Sequence, residues 1–458
     1  MCTSTIYFVR FRFVNEFPGV SHTGFMRLHA ALAAFACTAW AQNSQVFAIR
    51  GANIVTVSGP AIADGSIILR DGLIEAVGAD IPIPSDAWVI PGEGLTVYPG
   101  LIDAASNWGM PPNLAPGGGT ARGNQNPPAR GPEDRPATTS WIKAADELRP
   151  SDPRLDRARS AGFTTAVVFP MRGIFCGQGS LVNLAGERPS AMILAPSVGQ
   201  FLTVSPAPTG FPAALMGVIS YIRQVYLDAR HYAAIKDAYA ANPRSMRRPD
   251  YDRALEGVLE SRRILLPANR VVEIERMLRL AAGVEQQAIL YGMQEGYRAV
   301  ELLKKSAAPV LVSLKWPQRP ADSNPSDVDS LRALEVRDRA PSTPAEFAKA
   351  GIPFAFYSDG LDQPRDLQKA VKKAIDAGLS RRDAIRALTL SPAEIYGVAD
   401  RIGSIEKGKI ANLVVTRGEL FDDSTRVEMV FVDGRRYLMA PEQSVPAVQS
   451  PVTKEQAR

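Results

Sequence analysis

Pro99-Gly100-Leu101-Ile102-Asp103-Ala104-Ala105-Ser106-Asn107 is the stretch on which the reading of this chain turns. It stands where an N-terminal run of short β patterns gives way to a long centre in which helix and strand patterns alternate. Ala105 and Asn107, near its end, offer neither imidazole nor carboxylate. Histidine is scarce throughout, with only His22, His29 and His231 among 458 residues.

Composition bounds the alternatives. With 46% hydrophobic and 22% charged residues, the chain has ordinary globular composition and material for one large domain plus a smaller one. A net charge of +5 without clustered basic runs argues against a dedicated nucleic-acid binder. No run of about 20 apolar residues appears, so no membrane span is expected.

Residues 1–41 read as lying outside the fold. Met26-Arg27, the apolar stretch Leu28 to Phe35, and Ala39-Trp40-Ala41 give a basic start, a short apolar run and a small-x-small site. That pattern predicts a secretory signal peptide cut before Gln42, hence a periplasmic or secreted protein, with Met1 to Phe25 an upstream extension. Its removal takes Cys2, Cys37, His22 and His29, leaving Cys176 and His231 as single copies. A lone cysteine forms no internal disulfide and reads first as a small buried hydrophobe.

From Val46 to Val97 short apolar runs alternate with glycine and proline, and Asp71-Gly72 marks a tight hairpin. Asp433-Gly434 repeats the signal near the C-terminus. Strands at both ends predict one small composite β-sandwich domain over 44–98 and 401–440. Seven prolines and five glycines between Met110 and Pro136 predict a mobile loop. Residues 441–458 read as a flexible tail.

The centre, 99–400, alternates: helix from Asp152 to Arg159, strand Phe163–Phe169, helix Val271–Ala282, strand Gln287–Tyr291, helix Gly296–Ser306, strand Pro309–Leu314, helix Ala345–Ala350, strand Pro353–Tyr357. Short connectors between such units favour an α/β fold of the (β/α)8 TIM-like barrel type. Gly173 to Gly179 lacks the spacing of a phosphate-binding loop and reads as a tight loop in the barrel mouth.

The opening stretch resembles the first barrel strand of the metal-dependent amidohydrolase superfamily, Pro-Gly-Leu-Ile-Asp followed by a small residue and His-x-His. Tyr357-Ser358-Asp359-Gly360 resembles the end of the eighth strand, with its catalytic aspartate. Ala387 to Glu394 and Gly403 to Val415 resemble the passage from the last barrel helix to the returning β-domain strands, with Asn412 at the usual aspartate. The likeness runs over about 46–438 and is nearest the imidazolonepropionase-like branch.

The resemblance implies a hydrolase of non-peptide carbon–nitrogen bonds, working through zinc or another divalent metal held by four histidines and an aspartate. Of that set this chain carries over only Asp359. Ala105 and Asn107 replace the first histidine pair, Asn269 stands near the next, and the surroundings of Tyr291 hold none. His231 lies in a long helical stretch, Ala213 to Ala241, and cannot fill them. No metal or other cofactor is therefore expected, and the chain reads as a degenerate, catalytically inactive or altered relative that binds a small-molecule ligand.

Asp359 is read as a base or ligand-orienting group, or as an ordinary turn residue. Asn107, Asn269, Gln294 and Lys315, with Arg270 and Glu295, are the polar groups expected on the same barrel face, and Lys315 is equally an ordinary solvated strand-end lysine. Two alternatives stand beside this: a metal-independent hydrolase using Asp359, with Lys315 or an asparagine stabilising the oxyanion, and a non-catalytic subunit pairing with an intact amidohydrolase or with itself.

Overall fold

The computed structural model describes residues 45–111, 130–207, 210–319, 322–324, 326, 328–361, 363–422 and 425–439. The expected leader, residues 112–129 of the Pro/Gly-rich stretch, and the expected tail from 440 lie outside these.

The two ends of the chain build one sheet. Strands β1 (Phe47–Ile54), β2 (Ile62–Arg70), β3 (Leu73–Gly78), β4 (Trp88–Pro91) and β5 (Leu95–Pro99) join β14 (Leu413–Arg417), β15 (Arg426–Val432) and β16 (Arg435–Leu438). The order is β16-β15-β14-β5-β1-β2-β3, with β4 also on β1. The termini meet at the antiparallel pair β5–β14, where Leu413 faces Pro99 and Arg417 faces Leu95. The sheet curls, bringing the rings of Phe47 and Phe431 to 5.5 Å across a core that also contains Ile49, Val97 and Val415.

Both hairpin signals form as the sequence predicts. Asp71 and Gly72 adopt φ of 51° and 80°, Asp433 and Gly434 φ of 52° and 73°, the left-handed pairs a two-residue I′ turn requires. The two turns touch: a Cβ on Gly434 would lie 2.7 Å from the Cα of Gly72. Two glycines are needed because two backbones pack directly together.

The second sheet is the barrel. Its strands are β6 (Leu101–Ser106), β7 (Phe163–Val168), β8 (Phe175–Asn183), β9 (Ile193–Leu202), β10 (Arg263–Ala268), β11 (Gln287–Gly292), β12 (Val310–Ser313) and β13 (Phe354–Tyr357). They lie side by side in chain order. One feature departs from the expected repeat: β8 runs antiparallel to both β7 and β9. The Gly173–Gly179 segment, expected as a mouth loop, enters this buried strand. Gly179 is required there because a Cβ would meet the Phe169 ring at 2.0 Å. Glycines read as loop punctuation thus make room for an aromatic ring.

Helices pack outside. In Pro153–Ser160, Asp152 caps the helix N-terminus by accepting from the Arg154 amide at 2.9 Å. His231 is exposed on the helix Leu215–Ala241. Part of the Pro/Gly-rich stretch is anchored, since Arg135 reaches Asp228 at 2.6 Å and Asp252 at 3.7 Å. Among the described residues no helix is long and apolar enough to cross a membrane.

Sheet and barrel are joined at Asn412. Its buried amide donates to Thr165 Oγ1 at 3.0 Å on β7 and Asn183 Oδ1 at 2.8 Å on β8, while its oxygen accepts from the Asp433 amide at 2.8 Å. A carboxylate here would have no proton to give. Asn412→Ala removes all three hydrogen bonds, and we expect a loss of about 1–3 kcal/mol in urea unfolding; unchanged stability would show that Asn412 is not the joint.

Candidate functional site

The barrel closes through one buried carboxyl. Asp103 on β6 accepts from the amide of Ser358, just beyond β13, at 3.0 Å and from the Ala105 amide at 3.3 Å. Its Oδ1 thereby spans the seam between the first and last strands. Among the described residues Oδ2 is buried without a hydrogen-bond partner, as are the hydroxyls of Ser106 and Ser358. Burial pushes the Asp103 carboxyl up to about 7, against the pull of the hydrogen bonds from Ser358 and Ala105, and nearby Asp359 adds to the rise. Tyr396 reinforces the closure by donating to the Ala104 carbonyl at 2.7 Å.

The C-terminal ends of the strands, where barrels place chemistry, are filled with rings. Phe169 follows β7, Phe201 ends β9, Tyr291 lies on β11 and Tyr357 on β13. Centroids are 5.1 Å apart for Phe169–Phe201, 4.8 Å for Phe201–Tyr291, which are stacked, and 6.4 Å for Tyr291–Tyr357, which meet edge-on. The Tyr291 hydroxyl donates to the Leu202 carbonyl at 3.0 Å. Burial holds both phenols well above their ordinary ionisation range. The cluster continues inward through Leu265, Ile289, Leu311 and Ala355.

Asp359 sits on the rim, exposed and at φ of 50°, and its Oδ2 accepts from Ser313 Oγ at 2.7 Å. The carboxylate ties the ends of β12 and β13 together, and the chain turns there, with the Leu361 amide donating to the Ser358 carbonyl. Asn107 faces another way: Arg154 donates to its Oδ1 at 2.8 Å and its carbonyl at 3.0 Å, bracing the helix Pro153–Ser160.

Asn269 lies over Gly292, where any Cβ would meet its Oδ1 at 2.2 Å. Arg270 is the exposed N-cap of the helix Val271–Gly283. Glu295 serves that same helix start, taking the Val271 amide at 3.1 Å and Arg332 at 2.6 Å. Burial opposes its ionisation, yet Arg332 and the Val271 amide hold its carboxyl below the ordinary glutamate range. Gln294 and Lys315 do converge, on one cleft beside the mouth.

Among the described residues no three of His, Cys, Asp and Glu gather in metal-binding fashion. Cys176 is fully buried, its thiol pushed up by desolvation and donating to the Gly173 carbonyl. The parts of this site that sequence reasoning missed, Asp103 as the seam and the four-ring cluster, had a trace in the sequence. Phe169, Tyr291 and Tyr357 each end or closely follow an apolar strand run.

The barrel fold is one shared with solved amidohydrolases. Residues 330–437 match the amidohydrolase family, a span that includes β13 and Asp359 and runs to β16. An amidohydrolase from Thermotoga maritima superposes with a TM-score of 0.71 at 24% identity, over 86% of this chain and 100% of that one. An imidazolonepropionase from Flavobacterium johnsoniae is 34% identical over 109 residues, 20% of this chain and 26% of that protein. An adenine deaminase from Moorella thermoacetica is 32% identical over 110 residues, 24% of this chain and 15% of that protein. The chain thus matches about a quarter or less of the length of these curated relatives. These findings show a barrel fold shared with solved amidohydrolases and a local sequence likeness to the amidohydrolase family over residues 330–437.

The Asp103 seam predicts a pH dependence. The folded state holds this proton up to about pH 7, whereas the unfolded chain releases it near the ordinary value of 3.8. Its contribution is therefore complete below that lower value and is lost as pH rises through 7, by an amount on the order of a few kcal/mol. Asp103→Asn keeps the Oδ1 acceptor and removes the ionisation. Urea unfolding across pH 4 to 7 should show a smaller decline in the variant; parallel curves would refute the assignment.

Proposed function

We propose that this chain uses the amidohydrolase barrel as a small-molecule binding scaffold and has lost the metal-dependent hydrolysis of carbon–nitrogen bonds that the fold ordinarily carries. The observation that carries this reading is the packed cluster Phe169, Phe201, Tyr291 and Tyr357 at the strand ends. A metal-activated water needs several imidazole or carboxylate donors converging on an open position. Here the convergent side chains are aromatic, and Ala105 contributes only a methyl group to the same apolar interior.

Hydrolysis by Asp359 without metal is less well supported. Its carboxylate is engaged by Ser313, and the adjoining mouth is filled by rings rather than by a polar pocket that would seat a scissile bond. The leader-like pattern over residues 26–41 supports an exported location.

The test is a hydrolysis panel of dipeptides, N-acyl amino acids and lactams, run with and without added zinc. The expected result is no turnover above buffer in any arm. Turnover that a chelator abolishes would restore the metal-dependent enzyme, and chelator-resistant turnover lost in Asp359→Asn would establish the metal-independent one.

A further inference from the structure

A cleft of about 720 Å³ opens on the same barrel face, between the segment following β12 and the helix Pro364–Asp376. Its floor is apolar. Trp316 is buried and anchored by its indole N–H donating to the Ala370 carbonyl at 2.8 Å, with Leu314 and Leu361 beside it. Its walls are basic: Lys315 and Arg319 on one side, Lys369 and Lys373 on the other.

Lys369 and Lys373 are one turn apart on a single helix, a spacing at which like charges repel. Lys315, across the cleft, adds to that repulsion. Among the described residues Lys315, Lys369 and Lys373 form no ion pair. Among the described residues the acid lining the cleft is Asp366, in the first turn of its helix, where the helix dipole by itself favours a carboxylate. Gln294 adds an amide able to orient a polar group.

From this arrangement we infer that the cleft binds a small dianion, a ligand whose carboxylate or phosphoryl groups span Lys315 and the Lys369/Lys373 pair while its carbon skeleton lies over Trp316. This deepens the binding-scaffold reading and rests on it, by placing the ligand beside the filled mouth rather than inside it. The anion relieves a repulsion that no ion pair among the described residues offsets. Neutral analogues gain none of this.

The test titrates the whole protein by calorimetry at low ionic strength with succinate, inorganic phosphate and neutral succinamide. Succinate or phosphate should bind saturably at one site, the tighter of the two identifying carboxylate or phosphoryl as the recognised group, and succinamide should not bind. The double variant Lys369→Gln/Lys373→Gln should weaken binding about tenfold, while Lys305→Gln, on a different helix, should leave it unchanged. Absence of saturable binding by both anions, or undiminished binding in the double variant, overturns the inference. Either result leaves the hydrolysis panel untouched, and hydrolysis found there would overturn the scaffold reading without altering these titrations.

Discussion

The barrel depends on the Asp103 carboxyl. A row of strands lying in chain order is an open sheet until its first and last members are joined, and here β6 and β13 are bridged by Asp103 accepting the Ser358 amide. The carboxyl is wholly buried, its second oxygen has no hydrogen-bond partner among the described residues, and burial favours the neutral acid. A charged, unpaired group at that depth would be costly, so closure and protonation are linked. The turn carrying Asp359 follows directly from the seam, and the ends of β12 and β13 are tied by Ser313 one layer above it.

Closure fixes what the mouth contains. Once β7, β9, β11 and β13 are in register, their terminal residues point at a common centre, and those residues include Phe169, Phe201, Tyr291 and Tyr357. Rings in offset and edge-on contact supply packing energy as well as excluding water. The antiparallel β8 belongs to the same solution, because its Gly179 accommodates Phe169. A site built for metal hydrolysis keeps polar donors and an open position at this level. In the reading proposed here that space is given over to packing, and ligand chemistry moves to the rim.

Much of the architecture was legible from residues alone. Asp71-Gly72 and Asp433-Gly434 specified hairpins because the left-handed pair is a local requirement, and Asp152-Pro153 specified a helix start for the same reason. The stretch from Pro99 to Asn107 identified the scaffold, although Ala105 and Asn107 proved to have different surroundings, the apolar interior and the Arg154 brace. What was not legible depended on long-range packing. The direction of β8 is set by pairing with β7 and β9, so its glycines looked like a loop. Asn269, Arg270 and Glu295 were grouped with Gln294 and Lys315 by strand-end position, yet Glu295 serves the helix Val271–Gly283, and no local pattern records which side of a strand end a polar group will face.

The decisive measurement is the metal content of the purified full-length protein, determined by inductively coupled plasma mass spectrometry after growth in zinc- and manganese-supplemented medium and dialysis. The aromatic filling of the barrel mouth predicts divalent metal far below one ion per chain, with no rise on supplementation. A metal retained at about one or two ions per chain would contradict it, and would mean that the four rings part to admit a centre the described side chains do not form.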